Sequence, residues 1–216
     1  MSTPADKCAV DVVLFDFGGV LAEEGFEKGL RAIAVKHGLN ETEFFNLAHE
    51  LIHTTGYITG RADEHAYWEA IRDRTGIGDD DGTLRRELLS RFILRSWMFD
   101  IVRELKASGI RVVILSDQTN WLDELNGLYD FFKYFDVVFN SYHVGKNKMD
   151  VSHFSDTISR LKGSGGRMLF IDDSEAHCER ARKAGMKAIR YTGRESFLKD
   201  LEAACPGEWL QDLSSQ

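Results

Sequence analysis

Val10–Leu21, VDVVLFDFGGVL, is the stretch whose reading decides the fold. Val12, Val13, Leu14 and Phe15 form an unbroken apolar run rich in β-branched residues, as in a strand covered on both faces of a parallel sheet. The run stops at Asp16, and Gly18-Gly19 then lets the backbone turn tightly and approach a ligand. A carboxylate at the C-terminal tip of a buried strand does little for a core. It stands where open α/β sheets bind their ligands, outside the carboxyl ends of the strands. Taken alone, an Asp that merely caps the turn would read the same way.

Beyond Leu21 the periodicity becomes helical for some seventy residues. Glu24–His37 stops at Gly38, and Asn40 with Glu43 reads as a capping box for a helix running to about Thr55. Asp63 opens a third helix that closes at Gly76, and Thr83–Phe92 is a fourth. From Trp97 the pattern alternates. Helices are expected at Phe99–Ala107, Thr119–Leu128, Asp150–Leu161, Glu175–Ala184 and Arg194–Ala204. Strands are expected at Ile110–Leu115, Asp136–Phe139, Met168–Ile171 and Met186–Tyr191. Such alternation predicts βαβ units, a parallel sheet and right-handed crossovers. The fold class expected is therefore α/β, a Rossmann-like parallel core formed by residues 1–22 and 96–216, with residues 23–95 inserted as an all-helical cap.

Polar residues fall at the ends of the expected strands: Asp16 on the first, Ser116-Asp117 on the second, Asp172-Asp173 on the fourth. In a parallel sheet these ends share one edge, so carboxylates and a hydroxyl converge there. Crowded carboxylates call for a divalent cation, and an all-oxygen site suits magnesium. Lys148, in the loop before a helix, supplies a cation for a substrate anion.

On these residues the chain resembles the haloacid dehalogenase superfamily, in the subfamily with a helical cap after the first motif. The motifs are Asp16-Phe17-Gly18-Gly19-Val20, the apolar strand ending at Ser116, Lys148 in GKNKMD, and Asp172-Asp173 in FIDDSEAH. The resemblance implies a magnesium-dependent phosphoric-monoester hydrolase acting on a small phosphorylated metabolite. It makes Asp16 the nucleophile of an aspartyl-phosphate mechanism. It also implies magnesium on Asp16, the Gly18 carbonyl, Asp173 and Asp172, with Ser116, the amide of Asp117, Gly19 and Lys148 around the phosphoryl oxygens.

Four positions depart from the family pattern. Gly18 stands where phosphatases and mutases of the family carry a second Asp as general acid and base, a proton transfer typically worth roughly 10²–10⁴-fold in rate. The expected consequence is a preference for good leaving groups, or a proton supplied by Glu23, Glu24 or His177. Asp117 replaces a frequent Asn, Met149 a usual Pro after the lysine, and His177 an Asn or Asp. Gly18 also argues against the dehalogenase branch, which has Tyr there. It leaves open a rival reading, a weakly active or non-enzymatic member whose cap serves as an interaction surface.

Composition bounds these readings. The chain has 216 residues with 43% hydrophobic and 29% charged, a net charge of −8 and only two prolines. No basic stripe is present to neutralise nucleic-acid phosphates. No stretch approaches the length of a membrane span, and Met1–Cys8 has no apolar leader core. Cys8, Cys178 and Cys205 are odd in number and scattered, which reads as free thiols in a reducing cytoplasm. A monomer or homodimer is expected.

Three further motifs compete for attention. His49-Glu50-Leu51-Ile52-His53 matches the HExxH zinc-peptidase signature, with Glu64 or Glu69 available as a third ligand. Its position in the helical insertion favours a plain cap helix with exposed histidines. The aromatic residues Phe26, Phe44, Phe45, Tyr57, Tyr67 and Trp68 read as packing. Asp79-Asp80-Asp81-Gly82 lacks the alternating oxygen ligands of a calcium loop and reads as a solvated turn. Gly163–Gly166 runs from helix into strand, the wrong order for a phosphate loop.

Overall fold

The computed structural model describes residues 8–206. Residues 1–7, the segment searched above for a leader, and residues 207–216 lie outside the described range. Five strands form one parallel sheet: β1 (Val12–Phe15), β2 (Arg111–Ser116), β3 (Val137–Asn140), β4 (Met168–Asp172) and β5 (Lys187–Arg190), in the order β3-β2-β1-β4-β5. The Val12–Phe15 run is thus the central strand. Val13 and Phe15 pack into one apolar layer and Val12 and Leu14 into the other, which explains why the run does not alternate.

The sheet topology positions the site. From β1 the chain adds β2 and then β3 on one side, and crosses to β4 and β5 on the other. Strand order therefore reverses between β1 and β4, the kind of switch point at which open α/β sheets leave a ligand crevice. Phe15 is in register with both Ile114 and Ile171, so the next residues bring Asp16 and Asp172 to the same level of the same edge.

Between β1 and β2 come α1 (Gly25–Lys36), α2 (Glu41–Thr54), α3 (Glu64–Thr75), α4 (Asp81–Leu89) and α5 (Ser96–Ala107). The expected caps form: Asn40 accepts from the Thr42 and Glu43 amides, and Asp63 from Ala66. At Gly29 of α1 an added Cβ would lie 2.7 Å from Leu88 Cα, so this residue lets α1 and α4 pack backbone to backbone. The acidic stretch is a turn on the surface, as expected, and its carboxylates also find partners. Asp79 pairs with Lys36 and His37, Asp80 caps α4 through the Thr83 amide, and Asp81 pairs with Arg72 and His65. Because Asp80 is the cap, α4 begins two residues before the expected Thr83.

The remaining helices follow the sequence pattern: α6 (Trp121–Tyr129), α8 (Val151–Leu161), α9 (Glu175–Lys183) and α10 (Arg194–Ala204). The short α7 (Ser141–Val144), capped by Asn140, has too few residues to show a period. Tyr57, Tyr67, Trp68 and Trp121 form a buried aromatic cluster between α3 and α6. The Trp68 and Trp121 indoles both donate to Glu64 Oε1, at 3.0 and 3.2 Å. No helix among the described residues is long and apolar enough to cross a membrane.

The cysteine expectation is corrected for two of the three residues. Cys8 and Cys205 form a disulfide across 197 residues of sequence, while Cys178 is a buried free thiol pushed up to about 12 by burial. The Ala9 amide donates to Ala204 O at 3.2 Å, so the lead into β1 lies against the end of α10. That contact is tertiary, and cysteine spacing carries no trace of it. With two thiols joined, cysteine usage no longer argues for a reducing compartment. Thiol titration of the denatured chain is expected to find one reactive thiol before reduction and three after it. Reduction should lower the unfolding free energy by up to about 5 kcal/mol on the loop-entropy account, measured by urea denaturation; three thiols before reduction would refute the pairing.

His153 in α8 is 1% exposed and neither ring nitrogen has a hydrogen-bond partner. Burial, reinforced by the Lys148 charge, pulls its pKa down to about 4. Its unfolded pKa is near 6.5, so between these values the unfolded chain binds more protons and stability falls as pH falls. Replacing it, His153→Leu, should remove about 3 kcal/mol of that loss, read as a flatter dependence of urea midpoint on pH from 6.5 to 4.

Candidate active site

The strand tips carry a dry, charged cluster. Lys148 is fully buried, yet its ammonium lies 2.9 Å from Asp16 Oδ2 and 2.6 Å from Asp172 Oδ2. Asp16 Oδ1 accepts from Ser116 Oγ at 2.6 Å and from the Phe17 amide at 2.7 Å. Asp172, also fully buried, accepts from the Ser174 amide at 2.8 Å and has His177 Nδ1 at 3.2 Å. β1, β2, β4 and the loop after α7 thus each deliver one member of the cluster. Asp117 takes a structural part: both its oxygens accept from the Lys148 amide, at 2.9 and 3.0 Å, and this anchors the loop that presents the lysine.

Charge and burial compete here. Burial would strip Lys148 of its proton, but Asp16, Asp172 and Asp117 outweigh it and hold the group cationic. Burial likewise opposes ionisation of Asp172, and Lys148 with His177 reverses that, holding the carboxyl well below its usual range. Asp16 goes the other way: burial and the charges of Asp172 and Asp173 push it well above the usual range despite Lys148. Asp173 is raised by burial and by Asp172, and Asp117 by burial. The protein groups alone leave an excess of confined negative charge, the condition a bound dication relieves.

The donor set fits such an ion. Oxygen atoms of Asp16, Asp172 and Asp173 lie within 4.8 Å of one another, and among the described residues no other group of three His, Cys, Asp or Glu side chains comes together in this way. Gly18 lines the same cleft. Gly19, at φ 78°, is crowded by Asp173: an added Cβ would lie 2.1 Å from Asp173 Oδ2. Any side chain there would displace that carboxylate as well as strain the turn.

A cleft of about 420 Å³ opens over the cluster. One wall is the sheet edge with Asp16, Asp117, Gln118, Lys148 and Asp173; the other comes from the inserted helices. Phe26 of α1 and Phe45, His49 and His53 of α2 line it; the two phenylalanines pack against the core as expected and also face the cleft. Glu24 and His177, two of the three proton donors considered from sequence, also line it. Glu23 does not; its carboxylate is tied to Lys28 and Arg95. The zinc reading loses its third ligand, because Glu64 is bound to Trp68, Trp121 and Arg85, and Glu69 to His65.

Sequence reasoning missed Gln118, Arg180 and the cleft-facing side of α2. Gln118 is nearly buried, and its Nε2 would be 3.5 Å from a Cβ at Gly18, so its amide borders the space left by the absent side chain. Its place two residues beyond Ser116 was the available signal.

A parallel α/β sheet whose switch point gathers three aspartates and a buried lysine beneath inserted helices defines a hydrolase core of the Rossmann-like class. The model for haloacid dehalogenase-like hydrolases matches residues 10–185, and the chain belongs to that family. Among solved structures it is similar to a HAD family enzyme from Bacteroides thetaiotaomicron, with a TM-score of 0.72 at 20% identity over 87% of this chain and 96% of that one. The same enzyme in complex with magnesium and inorganic phosphate gives 0.70 at 19% identity, covering 86% and 96%. A predicted HAD-like family hydrolase from Porphyromonas gingivalis gives 0.68 at 19%, covering 96% and 97%. No curated protein matches the chain.

Lys148→Met would leave Asp172 buried without its cation. The expected loss of stability is about 3–5 kcal/mol, and the double variant Lys148→Met/Asp172→Asn should recover part of it, both read from urea denaturation. A single variant as stable as the parent would show that the cluster is not structurally coupled.

Proposed function

We propose that the protein is a magnesium-dependent phosphoric-monoester hydrolase that acts on a small phosphorylated metabolite through a phosphoenzyme formed on Asp16. The observation that carries this reading is the convergence of Ser116 and Lys148 on the Asp16 carboxylate, with the Asp173 carboxylate beside it. The Bacteroides enzyme's complex with magnesium and inorganic phosphate supports the same chemistry.

In this reading an oxygen of Asp16 attacks phosphorus, a P–O bond to aspartate forms, and the bond to the leaving oxygen breaks. Ser116 and the Phe17 amide hold the other carboxylate oxygen and so aim the attacking one. Lys148 meets the charge on the phosphoryl oxygens, while Asp117 fixes the loop that carries it. Water then cleaves the acyl phosphate, releasing inorganic phosphate and restoring the carboxylate. Asp16, Asp173 and the Gly18 carbonyl would hold magnesium, with Asp172 behind them keeping Lys148 in place; the ion would neutralise the phosphate and the crowded carboxylates. The inserted helices serve as the cap that shields the cleft from water.

With glycine at position 18, no side chain there protonates the leaving oxygen, so substrates whose leaving group needs no proton are favoured. A Cβ at Gly18 meets only ordinary contacts, 3.5 Å to Gln118 and 3.6 Å to Phe92, so a side chain fits. In magnesium buffer the protein is expected to hydrolyse 4-nitrophenyl phosphate much faster than an alkyl phosphate, and Asp16→Asn should abolish both. Gly18→Asp should raise the alkyl rate by about 100-fold with little change for the aryl ester. Activity undiminished in Asp16→Asn would reject the mechanism.

A further inference from the structure

His49 and His53 have no part in the chemistry above, yet the structure brings both to the cleft. They stand one turn apart on α2 with ring centroids 5.0 Å apart, and Phe45 lies 5.7 Å from His49. From the core side α9 lines the same cleft with Ala176, His177 and Arg180. Among the described residues no carboxylate pairs with His49, His53 or Arg180; the Arg180 guanidinium donates only to Ala176 O of its own helix, at 3.1 Å.

The carboxylates of the cleft are engaged elsewhere. Asp16 is held by Lys148 and Ser116, Asp117 by the Lys148 amide, Glu27 by Arg31, and Glu24 by the Glu27 amide. Asp173 belongs to the acidic group at the strand tips. A guanidinium and two imidazoles therefore line the cleft with their donors uncommitted to any protein anion. In a chain with 35 acidic and 27 basic residues, an arginine and two imidazole N–H donors left without carboxylates beside a cleft stand out as places for a ligand's anion. The volume, about 420 Å³, suits a metabolite longer than a bare phosphate.

We propose that His49, His53 and Arg180 form a second anion subsite, which receives a carboxylate or phosphate at the far end of a substrate whose reacting phosphate lies at Asp16. The subsite names the substrate class, an organic phosphate with a second anionic group, and rests on the phosphomonoester reading. Binding energy gathered at this distal group positions the phosphoryl group against Asp16.

The test measures binding and turnover separately. Calorimetry on the Asp16→Asn variant with magnesium compares 3-phosphoglycerate with glycerol 3-phosphate, and propane-1,3-diyl bisphosphate with propyl phosphate. The expected result is at least tenfold tighter binding of each charged-tail compound. His49→Ala/His53→Ala and Arg180→Ala, introduced into the same variant, should each cut that preference severalfold while leaving the neutral-tail compounds within about twofold. His49 is exposed while His53 and Arg180 are half-buried, so urea denaturation of each variant accompanies the calorimetry and only variants as stable as the parent are compared. Equal affinity for charged and neutral tails, a preference that survives both sets of substitutions, or binding of none of the four compounds overturns the subsite. Turnover by the protein with Asp16 intact separates the two readings. Charged-tail selectivity in binding with no hydrolysis of any phosphate ester keeps the subsite and rejects the phosphatase; hydrolysis without selectivity does the reverse.

Discussion

The buried ammonium of Lys148, wedged between the carboxylates of Asp16 and Asp172, is the interaction on which the rest of the site depends. Transferring three charges into a dry interior is unfavourable unless every one is compensated by close, well-aligned partners. The structure supplies them from four separate segments: a hydroxyl from β2, two backbone amides, an imidazole from α9, and the loop that Asp117 ties down. No segment could hold its member alone, so the site exists only when the sheet is assembled. The same compensation leaves Asp16 fixed in orientation before any ligand arrives, which is the preorganisation that the proposed attack on phosphorus requires.

The sheet order explains why this cluster lies in a crevice at the strand tips. The chain leaves β1 toward β2 and β3, and returns on the opposite side as β4 and β5. The crossover helices diverge between β1 and β4, and the acidic tips stand in the gap. The inserted helices roof it, and their contribution is chemically different from the floor. The floor is acidic, whereas α2 brings aromatic rings and two imidazoles. α9 adds an arginine without a carboxylate partner. A ligand spanning both would meet an acidic end and a donor-rich end.

Much of this was legible before any coordinates. The Val12–Phe15 run named the central strand, because burial on both faces forbids polar alternation. Asp16, Ser116, Lys148 and Asp172-Asp173 were readable as one site because strand ends in a parallel sheet share an edge, whatever the lengths of the connections. The caps at Asn40 and Asp63 were readable because they act within three residues. What could not be read was the partner of each charged group. Nothing local says that Asp117 would bind a backbone amide 31 residues away, that Asp172 would serve Lys148, or that Glu64 would be taken by two tryptophans. The ion pairs of Asp79 and Asp81 were hidden for the same reason, since their partners lie at α1 and α3.

The sequence by itself determined the α/β class, the strand whose tip carries Asp16, and the identity of the acidic and basic residues around it. These follow from periodicity and short-range caps, which are local. The tertiary structure alone decided that Cys8 meets Cys205, that the two HELIH histidines look into the cleft instead of gathering a metal, and that Arg180 stands without a carboxylate. Each of these depends on which surfaces come together across long stretches of chain, and that is set by packing of whole elements against one another, to which hydrophobic periodicity is blind.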